Sequence, residues 1–342
     1  MSKPSVAVDV MGGDDAPESV LGGVELALSE FDLHLILTGP EELISSRLAG
    51  KDFSRGTYEV QPASEVIEMD DDPVPAVRRK KDSSLLVAAD AVEEERADAL
   101  VSAGNTGAVM AGTKLKWGVQ EKIDRPAIAT MIPTRSGDYT ILVDVGANVD
   151  CTPRQLVEFG LMGSVYSEMV LEKEDPSVGI LNLGHEVLKG NELTRRTFDL
   201  FEEQPLNFLG NVEGDHVTSG AADVIVCDGF VGNVALKISE GVAGFIYDFL
   251  KDKIKSSWRT KLGGLILKPV FNALKDTIDP AEVGGAPLLG LNHGCIIAHG
   301  SSPPKAIKNA IHRAQLFVGG DCNHVIGKKV KKLNLTENNN ES

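Results

Sequence analysis

A doubly wound α/β architecture with a mainly parallel sheet follows from three observations on the sequence. Short β-branched or apolar runs recur along the chain, helical patterns fall between them, and most runs end in turns rich in glycine, asparagine and aspartate. Runs that are apolar throughout, rather than alternating, suit strands covered on both faces. The βαβα rhythm favours parallel pairing. The 342 residues allow two domains or one large α/β unit. We read 1–326 as a single unit, followed by a polar, disordered tail over 327–342.

Taken in order, strands are predicted at 5–10, 33–38, 99–103, 127–132, 140–145, 177–183, 223–227 and 295–298. Helices are predicted at 83–96, 154–173 and 233–255. The strands run into VDVMGGDD, VSAGNTG, VDVGANVD, LNLGHE, VCDGFVGN and IAHGSS. Ligands of open α/β sheets bind outside the carboxyl ends of the strands, so these six turns are expected to form one composite site. Glycine and asparagine also make tight turns for purely structural reasons.

Composition removes several classes of function. Aromatic residues are only 5% of the chain, which leaves little for the stacking platforms of single-strand nucleic-acid binders. A net charge of −16 repels a polyphosphate backbone, so no nucleic-acid partner is expected. Cys151, Cys227, Cys295 and Cys322 are scattered without metal-ligand spacing, as for free thiols in a reducing compartment. The opening MSKPSVAVDVMGGDD turns acidic and glycine-rich too soon for a signal peptide, and no apolar run reaches the roughly 18–20 residues of a membrane span. A cytoplasmic protein is expected. The sequence contains no GxxxxGK[ST], no GxGxxG after a strand and no GxSxG, and His185–Glu186 is not followed by a zincin histidine. No cofactor and no metal are therefore expected. The remaining inventory of glycine, asparagine, aspartate and lysine suits an oxyanion held by backbone N–H groups and a few cations.

Four segments carry this inventory: VDVMGGDDAP at 8–17, SAGNTG at 102–107, KGNELT at 189–194 and CDGFVGNVALK at 227–237. Two more accompany them, LVDVGANVDCTP at 142–153 and GGAPLLGLNHGCIIAHGSS at 284–302. In this order and spacing they resemble the PlsX-type phosphate acyltransferases, over nearly the whole chain from Ser5 to Gly319. The resemblance implies a Rossmann-like sheet related to phosphotransacetylases and isopropylmalate dehydrogenases, and a homodimer. It implies transfer of a long-chain fatty acyl group from acyl-carrier protein to inorganic phosphate. The acyl phosphate would then pass to a membrane glycerol-phosphate acyltransferase. Two positions depart from the family pattern: His185 stands where an acidic residue is usual, and Asp215 where a basic one is.

Phosphate attacks a thioester without an enzyme nucleophile, so the protein must position phosphate and stabilise the oxyanion. Lys189 and Lys237 are the expected phosphate cations, with backbone donors from 102–107 and 229–233. Asn233, Asn105 or Asn191 supplies an amide to the oxyanion. His299 moves the proton, and Ser301 and Ser302 donate to phosphate. Asp9, Gly12, Gly13, Asp14, Gly104, Thr106, Asp144, Asn148, Asp228 and Gly229 complete the binding turns. The same residues have plainer readings: Asp9 and Asp144 as turn caps, Lys237 as a solvated helix lysine, His299 as a strand-end polar residue. Two further functions stay open on the sequence, a phosphotransacetylase-like enzyme for short acyl-CoA and a non-catalytic membrane scaffold.

Residues 251–275, KDKIKSSWRTKLGGLILKPVFNALK, invert the charge of the chain, with seven cations against Asp252 for a local net of +6. Trp258, Leu262, Leu265, Ile266, Val270 and Leu274 recur near helical spacing beside them, and 265–267 with Val270 and Phe271 form an apolar knuckle. This is the make-up of a protruding interfacial helix attracted to anionic lipid, and peripheral membrane association is expected. A carrier-docking surface or a dimer contact are the other readings of the segment.

Overall fold

A computed structural model of the chain describes residues 3–334. The chain opens with β1 (Ser5–Asp9), α1 (Glu18–Glu30), β2 (His34–Gly39), α2 (Glu41–Leu48), β3 (Thr57–Pro62), α3 (Pro73–Arg79) and α4 (Ser84–Glu93). It continues through β4 (Ala99–Ser102), α5 (Thr106–Trp117), β5 (Ala127–Pro133), β6 (Tyr139–Val143), α6 (Pro153–Val170), β7 (Ser177–Leu181), α7 (Glu192–Glu202) and β8 (Asn207–Val212). After a 3-10 turn at Gly214–Thr218 come β9 (Val224–Val226), α8 (Gly229–Lys255), α9 (Trp258–Ile266), α10 (Lys268–Ile278) and α11 (Pro280–Val283). The last elements are β10 (Ala286–Leu289), β11 (Gly294–Ile297), α12 (Pro304–Gly319) and α13 (Cys322–Val330).

All eleven strands join one sheet in the order β3-β2-β1-β4-β11-β10-β5-β6-β9-β7-β8. The expected mixed layers and mainly parallel sheet are present, but the middle of the sheet is antiparallel. β10 runs against both β11 and β5, and β5 runs against β6. The flanks are parallel within themselves, β3-β2-β1-β4-β11 on one side and β6-β9-β7-β8 on the other. Three reversals leave the two flanks pointing in opposite directions. The turns after β1, β4 and β11 therefore leave one edge of the sheet, and those after β6, β9 and β7 leave the other. This corrects the expectation of six turns converging at one edge.

Three strands escape the sequence pattern. β3 and β8 are the sheet's outer strands, alternating and half-exposed rather than apolar throughout. β10 is four residues long, carries Pro287 and is bracketed by glycines. Two large apolar clusters fill the two faces, one around Leu35, Phe159 and Tyr166, the other around Leu86, Leu100 and Ile225. The expected tail boundary at Gly327 falls inside α13, whose Ile326 and Val330 are buried. Residues beyond Asn334, and the side chain of Lys275, lie outside the described residues.

The protruding segment is present as α9, α10 and the last turns of α8. Trp258, Leu262, Leu265, Ile266 and Val270 are between half and three-quarters exposed. Arg259 lies over the Trp258 ring and Lys253 over Phe249. Among the described residues no helix is long and apolar enough to cross a membrane.

α1 packs on α12 through Gly23, where an added Cβ would stand 2.4 Å from the Cβ of Ile307 and 2.8 Å from the Pro304 carbonyl oxygen. Gly23→Ala is expected to destabilise the fold by about 1–3 kcal/mol in urea unfolding, because overpacking against backbone outweighs the gain of roughly 1 kcal/mol in helix propensity.

Candidate active site

The turns after β1, β4 and β11 interlock at one edge. Asp9 at the end of β1 is buried and accepts from Ser84 Oγ at 2.6 Å and Ser102 Oγ at 2.7 Å. A Cβ on Gly12 would lie 2.6 Å from Asp9 Oδ2 and 2.7 Å from the Gly104 nitrogen, so only glycine lets these turns meet. The Asp14 N–H donates to the Gly300 carbonyl at 2.8 Å, tying in the third turn. Asn105 caps α5 through the Ala108 N–H, and its amide donates to the carbonyls of Met69 and Asp71. Its amide is thus engaged in structure rather than offered to an oxyanion.

A second carboxylate organises the other edge. Asp144, fully buried after β6, accepts from the N–H groups of Ile128, Gly146, Ala147 and Asn148 and from Asn148 Nδ2, at 2.7–3.2 Å. Asn148 also donates to the Pro126 carbonyl. The loop so formed presses on the start of α8, where a Cβ on Gly232 would lie 1.8 Å from the Asp144 carbonyl oxygen. α8 begins at Gly229, four residues before the expected start. The Gly229 N–H donates to Asn148, that of Gly232 to Asp228, and that of Val231 to the capping Asp228 carboxylate. The backbone donors expected at 229–233 are therefore engaged within the helix start.

Burial raises the Asp9 and Asp144 carboxyls above the usual carboxylate range, against the pull of the hydroxyl and N–H donors around them. Burial also pushes the Cys151 thiol up to about 12 and that of Cys227 well up. Neither thiol beside this loop supplies a thiolate nucleophile at neutral pH.

Between the two edges runs a cleft of about 960 Å³, bounded by α8 on one wall and by β5, β10 and the end of β11 on the other. Along its floor lie Ile128, Thr130, Ile132 and Thr134, six residues of strand or about 20 Å. Of the sequence-predicted residues it brings together Asn233 and Lys237 from α8, His299, Ser301 and Ser302 after β11, and Thr106 at the start of α5. The Lys237 ammonium pairs with Glu240 at 3.0 Å. His299 Nδ1 accepts from the Ser301 N–H at 3.2 Å and lies 2.9 Å from its hydroxyl, which leaves Nε2 to carry the proton of a neutral ring. Apolar residues of the lining include Val145, Leu236, Ala243, Val283, Ala286 and Ile297.

Lys189 and Asn191 are not in this cleft. Asn191 caps α7 through the Thr194 N–H, and Lys189 stands exposed on the loop after β7, two strands from β6. Arg135 and Glu240, which do line the cleft, have no counterpart in the sequence reading. The first sits in the TRSGD turn between β5 and β6, a strand end like the others but without their Gly-Asn signature. The second lies one helical turn from Lys237, the spacing of an ion pair. Such a cleft gathers in one lining a lysine, an asparagine amide, a histidine and two serine hydroxyls, the donors an anion needs, together with apolar side chains. Among the described residues no group of three or more His, Cys, Asp or Glu side chains could hold a metal ion.

The fatty acid synthesis protein family matches residues 5–324. A phosphate acyltransferase of Brevibacillus brevis is 50% identical over 333 residues, covering 97% of this chain and 99% of that protein. One from Clostridioides difficile is 44% identical over 336 residues, covering 98% and 99%. Among solved structures, a phosphotransacetylase from Streptococcus pyogenes superposes with a TM-score of 0.60 at 18% identity, covering 92% of this chain and 94% of that one, which shows a shared fold.

Replacing Asp144 with alanine removes one acceptor from five buried donors at once. The variant is expected to lose about 3 kcal/mol or more in urea unfolding and to lose activity, whereas Ser301→Ala should leave the unfolding midpoint in place.

Proposed function

This chain belongs to the fatty acid synthesis protein family of phosphate acyltransferases, and from that premise we propose that it draws a long-chain acyl group from an acyl-carrier-protein thioester. Acyl transfer to phosphate is the activity of the family. The observation that carries the finer reading is the cleft itself, which sets Lys237, Arg135 and His299 among a long run of apolar side chains that includes Ile128, Ile132, Leu236, Ala243 and Val283. A short acetyl donor has no use for such a run.

Phosphate sits between the Lys237 ammonium, the Asn233 amide and the hydroxyls of Ser301 and Ser302, displacing Glu240 from Lys237. A phosphate oxygen attacks the thioester carbonyl carbon, and the resulting oxyanion is met by the Asn233 amide. As the C–S bond breaks, the departing sulfur takes the proton that the hydrogen phosphate gives up, and the Nε2–H of His299 donates a hydrogen bond to that sulfur as its charge develops. One proton thus moves from phosphate to thiol, and acyl phosphate and the carrier thiol leave. Positioning of two reactants in this way offsets about 7–11 kcal/mol of an entropic barrier. Asp9, Gly12, Gly13, Asp14 and Gly104 hold the upper turns in place, and Asp144, Asn148, Asp228 and Gly229 the lower ones. Thr106 adds a hydroxyl at the upper rim.

The chain works as a homodimer. The face of α8 that lines the cleft holds Asn233, Lys237 and Glu240, while about half a turn away Val234, Ile238, Phe245 and Phe249 are 42–69% exposed. This outward stripe, with Phe230, Val231, Val242 and Ile246, exposes on the order of 700–800 Å², one side of an ordinary stable interface. The α9–α10 tip, basic and apolar, rests on anionic lipid from the cytoplasmic side and brings the product to a membrane glycerol-phosphate acyltransferase.

A discontinuous assay tests the reaction: palmitoyl-acyl-carrier protein and phosphate, with acyl phosphate trapped by hydroxylamine and released thiol measured together. Turnover with acetyl-CoA in place of the carrier thioester moves the chain to the short-acyl reading, and no turnover with any donor to a scaffold. In the active enzyme Lys237→Ala is expected to raise the phosphate KM about 10- to 100-fold, the loss of one charge-assisted hydrogen bond. Flotation with anionic vesicles checks the tip. Wild-type protein should float, and Leu265→Glu with Ile266→Glu should stay at the bottom.

A further inference from the structure

The loop after β7 holds two leucines in water by design. Asn182 Nδ2 donates to Asn211 Oδ1 at 2.9 Å, Asn211 Nδ2 donates to the Glu186 carbonyl at 3.0 Å, and the Lys189 N–H donates to the same carbonyl at 3.0 Å. Gly190 adopts φ +95°, and a Cβ there would meet Thr194 Oγ1 at 2.2 Å, so the turn admits only glycine. A loop fixed by this much polar bonding nonetheless leaves Leu183 and Leu188 83% and 84% exposed, with the lysine beside them. Monomeric surfaces rarely keep such a cluster uncovered.

The same edge of the sheet carries more of it. β7 pairs with β9 and β9 with β6, so the turns holding Leu183 and Leu188, Phe230 and Val231, and Val149 leave three neighbouring strands about 4.8 Å apart. Phe230 and Val149 are both 62% exposed. They continue directly into the outward stripe of α8. The exposed leucines of the Lys189 loop therefore extend the face assigned above to the second copy.

We infer that Lys189 acts in trans: when two copies pair through α8, the loop after β7 of one copy reaches the cleft of the other and adds Lys189 to its phosphate site. The inference rests on that phosphate reading of the cleft and on pairing through α8. Within its own copy the loop stands outside the cleft, beyond β9 and the start of α8. Across a two-fold axis the partner's cleft is only one helix diameter away, about 10 Å, because α8 carries the interface on one face and the cleft on the other. Lys189 has no ion pair among the described residues, as befits a cation whose anion arrives with the substrate and the second copy.

Subunit mixing decides the point. Lys189→Ala and Lys237→Ala chains bearing different affinity tags are co-expressed, and the mixed dimers isolated by two successive tag captures. Both substitutions are on exposed side chains, so each chain is expected to fold, and at phosphate near the wild-type KM each homodimer should keep roughly 2–20% of wild-type turnover. In trans, one cleft of the mixed dimer holds both substitutions and the other none, so about half of wild-type turnover returns. Mixed dimers no more active than either homodimer would place Lys189 in its own cleft and overturn the inference. So would full activity of the Lys189→Ala homodimer, or a chain that yields no mixed dimer. The donor used is whichever thioester the wild-type enzyme turns over, so a wrong choice of carrier shows in the wild-type control and leaves this comparison intact.

Discussion

The antiparallel ladder at the centre of the sheet is the constraint on which the active site depends. Had β10 and β5 run parallel to their neighbours, all the polar turns would share one edge and open into one crevice, as in a simple doubly wound sheet. Because they reverse, the two parallel flanks deliver their turns to opposite edges. A site that uses both must then run along the sheet rather than sit at its rim. The result is a long cleft with β5 as its floor.

Each edge is held by one buried carboxylate, and the two are alike in logic. Asp9 takes two serine hydroxyls and sits under Gly12 and Gly104, while Asp144 takes five N–H groups and sits under Gly229 and Gly232. A buried carboxylate without donors is costly, and a polar loop without an acceptor is equally so. Joined, they fix turns that no apolar packing could hold. The glycines around them are needed for approach, since any Cβ would collide with the carboxylate or its loop. These residues shape the site from beneath while Lys237, Asn233 and His299 face the cleft.

Much of this was legible in the sequence, and the remainder was hidden for definite reasons. Apolar strands such as β1, β4 and β6 declare themselves because both faces are covered, whereas the outer strands β3 and β8 alternate and read as loops. Strand direction is invisible to composition, so a run such as 127–132 gives no hint that it opposes 140–145. Among residues that line the cleft, Lys237, Asn233, His299 and the two serines carry a sequence signal because a polar group at a strand end or helix start is unusual. Asn105 and Asn191 share that signal, yet serve as helix caps, and nothing in a single sequence separates a capping asparagine from one that faces a ligand. Arg135 was missed because it lies in an ordinary hairpin turn, where Gly137 takes φ +84° and the cation alone carries the signal.

α8 turns the usual relation between polarity and burial inside out. A surface helix normally lays its apolar stripe on the core and its charges in water. Here Asn233, Lys237 and Glu240 look inward at the cleft, and Phe245, Ile246 and Phe249 look outward. On that inward side, among the described residues, only Ala235 and Leu236, in the first turns, pack against the core of the sheet. Beyond those turns apolar side chains of α8, Phe245, Ile246 and Phe249 among them, stand exposed. Under the function proposed above, catalysis and association would be coupled through one helix, its polar face lining the cleft and its uncovered apolar stripe meeting a second copy.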